Sequence, residues 1–207
     1  DPDRRYDRIY IGGDYGQQNA TTFEAFGLDT YRKKFPGLGE YYHSGRESGR
    51  QKSPSEYARD LVEFMDGLHE QYENRIFYIF LDPSAKEVRR ATRTGLDYQV
   101  FLRDAENDVA LGISRVQKAL VFDIMSISPK QEYAVQEFGT YEYDKKSIEK
   151  GKEVPVKEAD HCMDAIRYVV MGAWSNIKHW LPLDIVEDDV NIGDIGSREV
   201  REEDEYL

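Results

Sequence analysis

The chain has 207 residues, of which 40% are hydrophobic and 13% aromatic, and it carries a net charge of −12. This describes a globular protein with one substantial core, two small domains being the other partition the length allows; no stretch approaches the ~20 apolar residues of a membrane-spanning helix. A single cysteine, Cys162, rules out an internal disulfide, suits a reducing compartment and reads as a small buried helix residue. The opening DPDRRYDR is charged and has no apolar segment, so it is no signal peptide, and without an initiating Met the chain reads as a fragment or a processed form. Ten acids and two bases fall within residues 184–207, so this tail holds −8 and residues 1–183 hold −4. A body at −4 has room for local basic patches, and acids gathered around a metal would account for part of the deficit.

In chain order, RIYIGGDYG (8–16) alternates apolar and polar residues and breaks at glycines, a strand ending at Asp14. ATTFEAFGLD (20–29) and EYYHSG (40–45) follow as second and third strands, with linkers short enough for antiparallel neighbours. SPSEYARDLVEFMDGLHEQY (53–72) is a helix capped by Ser53, with Pro54 at its first position and Glu56 at its third. RIFYIFLD (75–82) is apolar almost without alternation, as in a strand covered on both faces, and stops at Asp82-Pro83. A short basic helix (84–95), a fifth strand (98–104) and a helix (108–123) come next. Residues 128–144 begin as a helix with Ser128 as cap and Pro129 at its first position, then turn extended. Residues 145–157, polar and basic, read as unstructured or as an excursion of two short strands. The last helix, 160–177, carries an apolar stripe of Cys162, Ile166, Val169, Val170 and Ala173; beyond Pro182 the acidic tail has few anchors.

Because a helix separates the third and fourth strands, the fourth can lie parallel to the first by crossing behind the sheet. If the two are neighbours, Asp14 and Asp82 end side by side. Each acid also has a plain structural reading: Asp14 as a turn residue, Asp82 as the cap of the helix after it, Asp160 as the cap of the last helix. Asp164 is a full turn further in, too far to cap, and shares a helix face with His161 and Tyr168 at offsets of three and four. Two acids at neighbouring strand ends and one on a late helix form an oxygen-rich set suited to hard divalent ions. Carboxylates packed so closely repel one another and make most sense with metal between them.

IYIGGDYGQQNATTFEAFG, IFYIFLDPSA and EVPVKEADHCMDAIRYVV together resemble the C-terminal nuclease domain of phage large terminase subunits, the DNA-packaging motor of tailed bacteriophages. The last stretch is the most specific of the three, and the resemblance spans residues 8 to about 175. It implies an α/β, ribonuclease H-like fold with a mixed central sheet of strand order 3-2-1-4-5 flanked by helices; with the acidic composition of the end, this divides the chain into a nuclease domain over residues 1–183 and a flexible tail over 184–207. It implies endonucleolytic cutting of concatemeric double-stranded DNA with two Mg²⁺ or Mn²⁺ ions, held by Asp14, Asp82 and Asp164, with His161 at the metal site. It implies the N-terminal ATPase domain of the same polypeptide, the portal protein and the small terminase subunit as partners, no membrane, and a place in the host cytoplasm at the procapsid portal rather than in the mature virion.

The chain has no G-x-x-x-x-G-K-[ST] phosphate loop, so by itself it should not hydrolyse ATP. Its first loop, QQNA, also lacks the acid many relatives carry there. DNA-binding candidates are Lys86, Arg89, Arg90 and Arg93 after Asp82, and Lys145, Lys146, Lys150 and Lys152 before the helix acid. A Holliday-junction resolvase or transposase would share the fold and the three acids, and a non-catalytic portal-docking module would share the fold alone.

Overall fold

The computed structural model describes residues 5–16, 19–91, 97–148, 155–156 and 160–186. Its strands are β1 (Arg8–Asp14), β2 (Ala20–Leu28), β3 (Phe35–Ser44), β4 (Ile76–Leu81), β5 (Gln99–Asp104) and β6 (Met125–Ser126). Its helices are α1 (Gly45–Ser48), α2 (Pro54–Tyr72), α3 (Lys86–Ala91), α4 (Val109–Val121), α5 (Glu132–Thr140), α6 (Lys145–Ile148) and α7 (His161–Ile177). They form one sheet of order β5-β4-β1-β2-β3-β6. The pairs β1–β2 and β2–β3 are antiparallel, while β1–β4 and β4–β5 are parallel. The expected order 3-2-1-4-5 is therefore present, extended by the two-residue edge strand β6, too short to carry a strand pattern in the sequence.

Period-two alternation divides the sheet between two cores. Ile9, Ile11, Phe77, Ile79 and Leu81 face α2, whose Tyr57, Leu61, Met65 and Leu68 cover them. Tyr10, Phe26 and Phe35 face α7, with α4 and α5 outside it. The capping box of α2 forms as read: Ser53 accepts from the Glu56 amide and Glu56 reaches back to the Ser53 amide. β4 is fully buried on its α2 side only. On the other side Tyr78 and Phe80 are half-buried and line a cleft of about 490 Å³ beside the C-terminal half of α7. Their apolar character is spent on ring stacking: Tyr78 lies 5.3 Å from Tyr10 and 4.8 Å from Phe101.

Two helix starts differ from the reading of the sequence. α5 begins at Glu132, because residues 128–130 form a turn before it. Gln131, fully buried, donates to Glu24 Oε2 at 2.8 Å and accepts from the Ser128 amide, which holds that turn. The first amides of α5 are taken by Glu40 of β3, through Tyr133 N at 2.7 Å and Ala134 N at 3.1 Å. Asp160 does stand at the N-cap position of α7, but its side chain makes no capping bond. Glu137 of α5 supplies it instead, accepting from Cys162 N at 2.8 Å and Met163 N at 3.2 Å.

The basic helix after Asp82 is described over 86–91, and residues 92–96 lie outside the described residues. Around the 145–157 excursion, α6 follows Tyr143, which bridges Pro155 in antiparallel fashion. Residues 184–186 of the expected tail belong to a helical turn whose Ile185 and Val186 pack on the α7-side core. The remainder, 187–207, lies outside the described residues.

Candidate metal centre

Backbone geometry brings the acids to one end of the sheet. β1 and β4 pair in register up to Gly13 and Leu81, and the Asp82 amide donates to the Gly13 carbonyl at 3.0 Å. Asp14 and Asp82 therefore leave adjacent strand ends together. The third acid arrives with α7, which lies against β1 with its N-terminus at the C-terminal end of that strand. Gly12 permits that approach: a Cβ there would sit 1.9 Å from the Ala165 carbonyl oxygen and 2.7 Å from Val169 Cγ2. At the opposite end of α7, Asn176 donates to the Tyr10 hydroxyl at 3.0 Å.

One α7 side chain then holds each acid. His161 Nδ1 donates to Asp14 Oδ2 at 2.8 Å. The Tyr168 hydroxyl donates to Asp82 Oδ2 at 3.3 Å, while the Ser84 amide takes Asp82 Oδ1 at 2.7 Å. Arg167 Nη2 donates to Asp164 Oδ1 at 2.8 Å. The Tyr168 phenol lies among all three carboxylates, and its pKa is pushed up by burial and then by Asp164, Asp14 and Asp82.

Electrostatics set Asp14 apart. Burial raises its carboxyl above the ordinary range, against the His161 hydrogen bond, and the charges of Asp164 and Asp82 raise it further. His161 is raised in turn, chiefly by its bond to Asp14. This donor set suits a hard divalent cation: oxygen ligands on rigid elements, with a mutual repulsion that a cation would relieve. Among the described residues, the trio of metal-capable side chains whose donor atoms lie within 4.8 Å of one another is a different one, Glu24, Glu40 and Cys162. The three aspartates stand further apart than that.

Glu24 and Glu40 already have structural partners. Glu24 accepts from Gln131 and from Thr22, and Glu40 caps α5. Burial and the Glu40 charge push the Glu24 carboxyl well above the ordinary range. Burial, Glu24 and Glu137 push the Cys162 thiol up as well. This trio is thus a hydrogen-bonded seam between sheet and helices.

The basic candidates fare unequally. Lys86 and Lys145 are exposed, at the starts of α3 and α6. Arg89 is turned inward: it pairs with Asp104 and donates to the Leu81 and Arg103 carbonyls at 2.9 Å and 3.3 Å, tying the ends of β4 and β5. The side chains of Arg90 and Lys146, and all of Arg93, Lys150 and Lys152, lie outside what the structure describes. Sequence reading missed Arg167 and Glu137. Arg167 had a signal, as a lone cation in an apolar run three residues after Asp164; Glu137 had none, because it acts on another helix.

No family model and no curated protein matches the chain. Among solved structures, it is similar to the large terminase of a thermophilic bacteriophage in complex with ADP, at 34% identity over 81% of this chain and 40% of that one, with a TM-score of 0.70. The chain thus spans about two fifths of that protein's length. It is similar in fold to the P22 large terminase nuclease domain, at 15% identity over 87% of this chain and 85% of that one, TM-score 0.57. The SPP1 large terminase nuclease domain with bound Mn is alike at 22% identity over 80% and 86%, TM-score 0.52. The structural neighbours of this chain are large terminases and their nuclease domains, and it has the ribonuclease H-like fold of those domains.

Proposed function

We propose that this chain is the metal-dependent endonuclease domain of a phage large terminase, cutting concatemeric double-stranded viral DNA when packaging starts and ends. The carrying observation is the convergence of Asp14, Asp82 and Asp164 around one phenol at the end of the parallel strands. The nuclease domains it resembles in fold include forms with bound Mn and with bound cobalt, which supports a divalent ion.

Asp14 and Asp164 would hold one Mg²⁺ or Mn²⁺ ion, and Asp14 and Asp82 a second. Such ions, when bound, lower the pKa of a water and stabilise the departing oxygen of a phosphodiester. The chain's own residues do the rest. His161 fixes the Asp14 carboxylate, Tyr168 fixes Asp82, and α7 sets their spacing to Asp164. Lys86 and Lys145 offer exposed cations to the phosphate backbone, contacts that position a duplex without reading its sequence. The ATPase domain of the same polypeptide, the portal and the small terminase subunit would supply translocation and docking, in the host cytoplasm.

The test is cleavage of supercoiled plasmid by the purified chain with Mn²⁺, Mg²⁺ or EDTA, beside Asp82→Ala and Asp164→Ala. Nicking and linearisation with metal should vanish with EDTA and fall at least a hundredfold in either variant, as expected when a metal ligand is removed. Cleavage that survives Asp82→Ala would sink the ligand assignment. A strong preference for four-way junctions over linear duplex would move the reading to a resolvase.

A further inference from the structure

Among the described residues, Arg167 is the largest of the fully buried side chains, 2% exposed, and the one cation among those. Its Nη2 donates to Asp164 Oδ1 at 2.8 Å and to Asn107 Oδ1 at 2.9 Å. Its guanidinium lies 4.8 Å from the centroid of the Tyr168 ring. Its Nε and Nη1 are buried and have no hydrogen-bond partner among the described residues. Gly112 of α4 makes the room, since a Cβ there would fall 2.3 Å from Arg167 Cγ.

As packing, this is a poor arrangement. A buried guanidinium with two unsatisfied nitrogens is costly, and an apolar side chain of similar volume would serve a core as well or better. What the arginine achieves is local. It grips one oxygen of Asp164 and stops the carboxylate from turning about its own axis. Asn107, on the loop between β5 and α4, and the Tyr168 ring fix the guanidinium from two other directions. Asp164 is thereby oriented by contacts from α7 and from the β5–α4 loop instead of by its own rotamer.

We infer that Arg167 is a positioning residue of the metal centre, aiming the Asp164 carboxylate at the ion shared with Asp14, and that Asn107 and Gly112 serve it in that role. The inference rests on the metal-centre reading above. It predicts a defect in metal binding that a core residue would not produce.

The experiment is Mn²⁺ binding to the purified chain by calorimetry, with thermal melts of the same samples in EDTA. Arg167→Met should keep or raise the melting temperature in EDTA yet bind Mn²⁺ at least tenfold more weakly, the usual loss when the partner of a metal ligand is removed. Arg167→Lys keeps a charge without the fork and should recover part of the affinity. Asn107→Ala, on an exposed loop, leaves the fold intact and should weaken binding roughly two- to fivefold, less than loss of the direct partner. Unchanged or tighter binding in folded Arg167→Met overturns the inference. If that variant does not fold, unchanged binding in Asn107→Ala overturns it. A folded wild-type chain that takes up no Mn²⁺ instead overturns the metal-centre reading, and this inference with it.

Discussion

At the scale of single residues, the candidate site depends on a side chain that is missing. Gly12 lets α7 settle onto β1, and the atom a Cβ would strike is a backbone carbonyl at 1.9 Å, which cannot swing aside as a side chain can. Gly12→Ala should therefore cost about 3 kcal/mol, the upper end of ordinary overpacking, read as a lowered urea midpoint at unchanged slope. It should also push Asp164 away from Asp14 and so reduce cleavage more than the stability loss accounts for. Gly172→Ala is the informative comparison: there the obstacle is the half-buried Phe80 ring at 2.3 Å, at the open cleft, so a milder loss is expected. Equal losses would show that the ring is as immovable as the helix backbone.

At the scale of elements, two helices start under carboxylates borrowed from elsewhere, α5 under Glu40 and α7 under Glu137. Burial raises the Glu137 carboxyl from the ordinary 4.5 to about 7, against the two amides that favour its charge. Between those values the folded chain keeps a proton that the unfolded chain has lost, so this group's contribution to stability falls as pH rises from 4.5 through 7. Asp14 and Glu24, also raised, act in the same direction. Denaturant midpoints should accordingly decline from pH 5 to pH 8 more steeply in the wild type than in Glu137→Gln, which keeps the acceptor and cannot ionise. Parallel profiles would rule Glu137 out as a source of the pH dependence. Glu137→Ala should lose the cap at every pH, costing about 1–2 kcal/mol.

At the scale of the whole molecule, the proposed function requires an acidic chain to hold a polyanion. Residues 1–183 carry −4 against −8 in the tail, so attraction has to be local. Lys86 and Lys145 are exposed and lie near the site in sequence: one is four residues past Asp82, the other four past Tyr141, whose phenol is pushed up by burial and then by Asp164. Lys86→Glu and Lys145→Glu should each weaken duplex binding and flatten its logarithmic salt dependence by about one unit, the signature of one lost phosphate contact. Lys33→Glu, an exposed change in the β2–β3 turn at the opposite end of the sheet, is the control and should leave the slope alone. Equal slopes in all three would remove Lys86 and Lys145 from the DNA path.

How much of this was legible follows from the range of the forces involved. Alternation in RIYIGG, the apolar run RIFYIFL and the capped helix from Ser53 are local patterns; they placed the strands and allowed a parallel β1–β4 pair, while the order 3-2-1-4-5 that brings Asp14 to Asp82 came from the family resemblance. The acid at 164 was legible as well, because helical spacing set it beside His161 and Tyr168. The helix starts at 132 and 161 were misjudged at the level of capping. Ser128 and Asp160 satisfy local rules for a cap, yet Glu40 and Glu137 take the amides from other elements, a contact no sequence window contains. Arg89 looked like a free cation and is spent on Asp104, its partner across the β4–β5 edge. Arg167 was passed over in the sequence; a glycine on α4 and an asparagine on a loop place it against Asp164. Propensity and periodicity act over a few residues, so strands and helices could be assigned before any packing was known. Which charges are paired, capped or buried came only with the packing, because those energies depend on what lies across the gap.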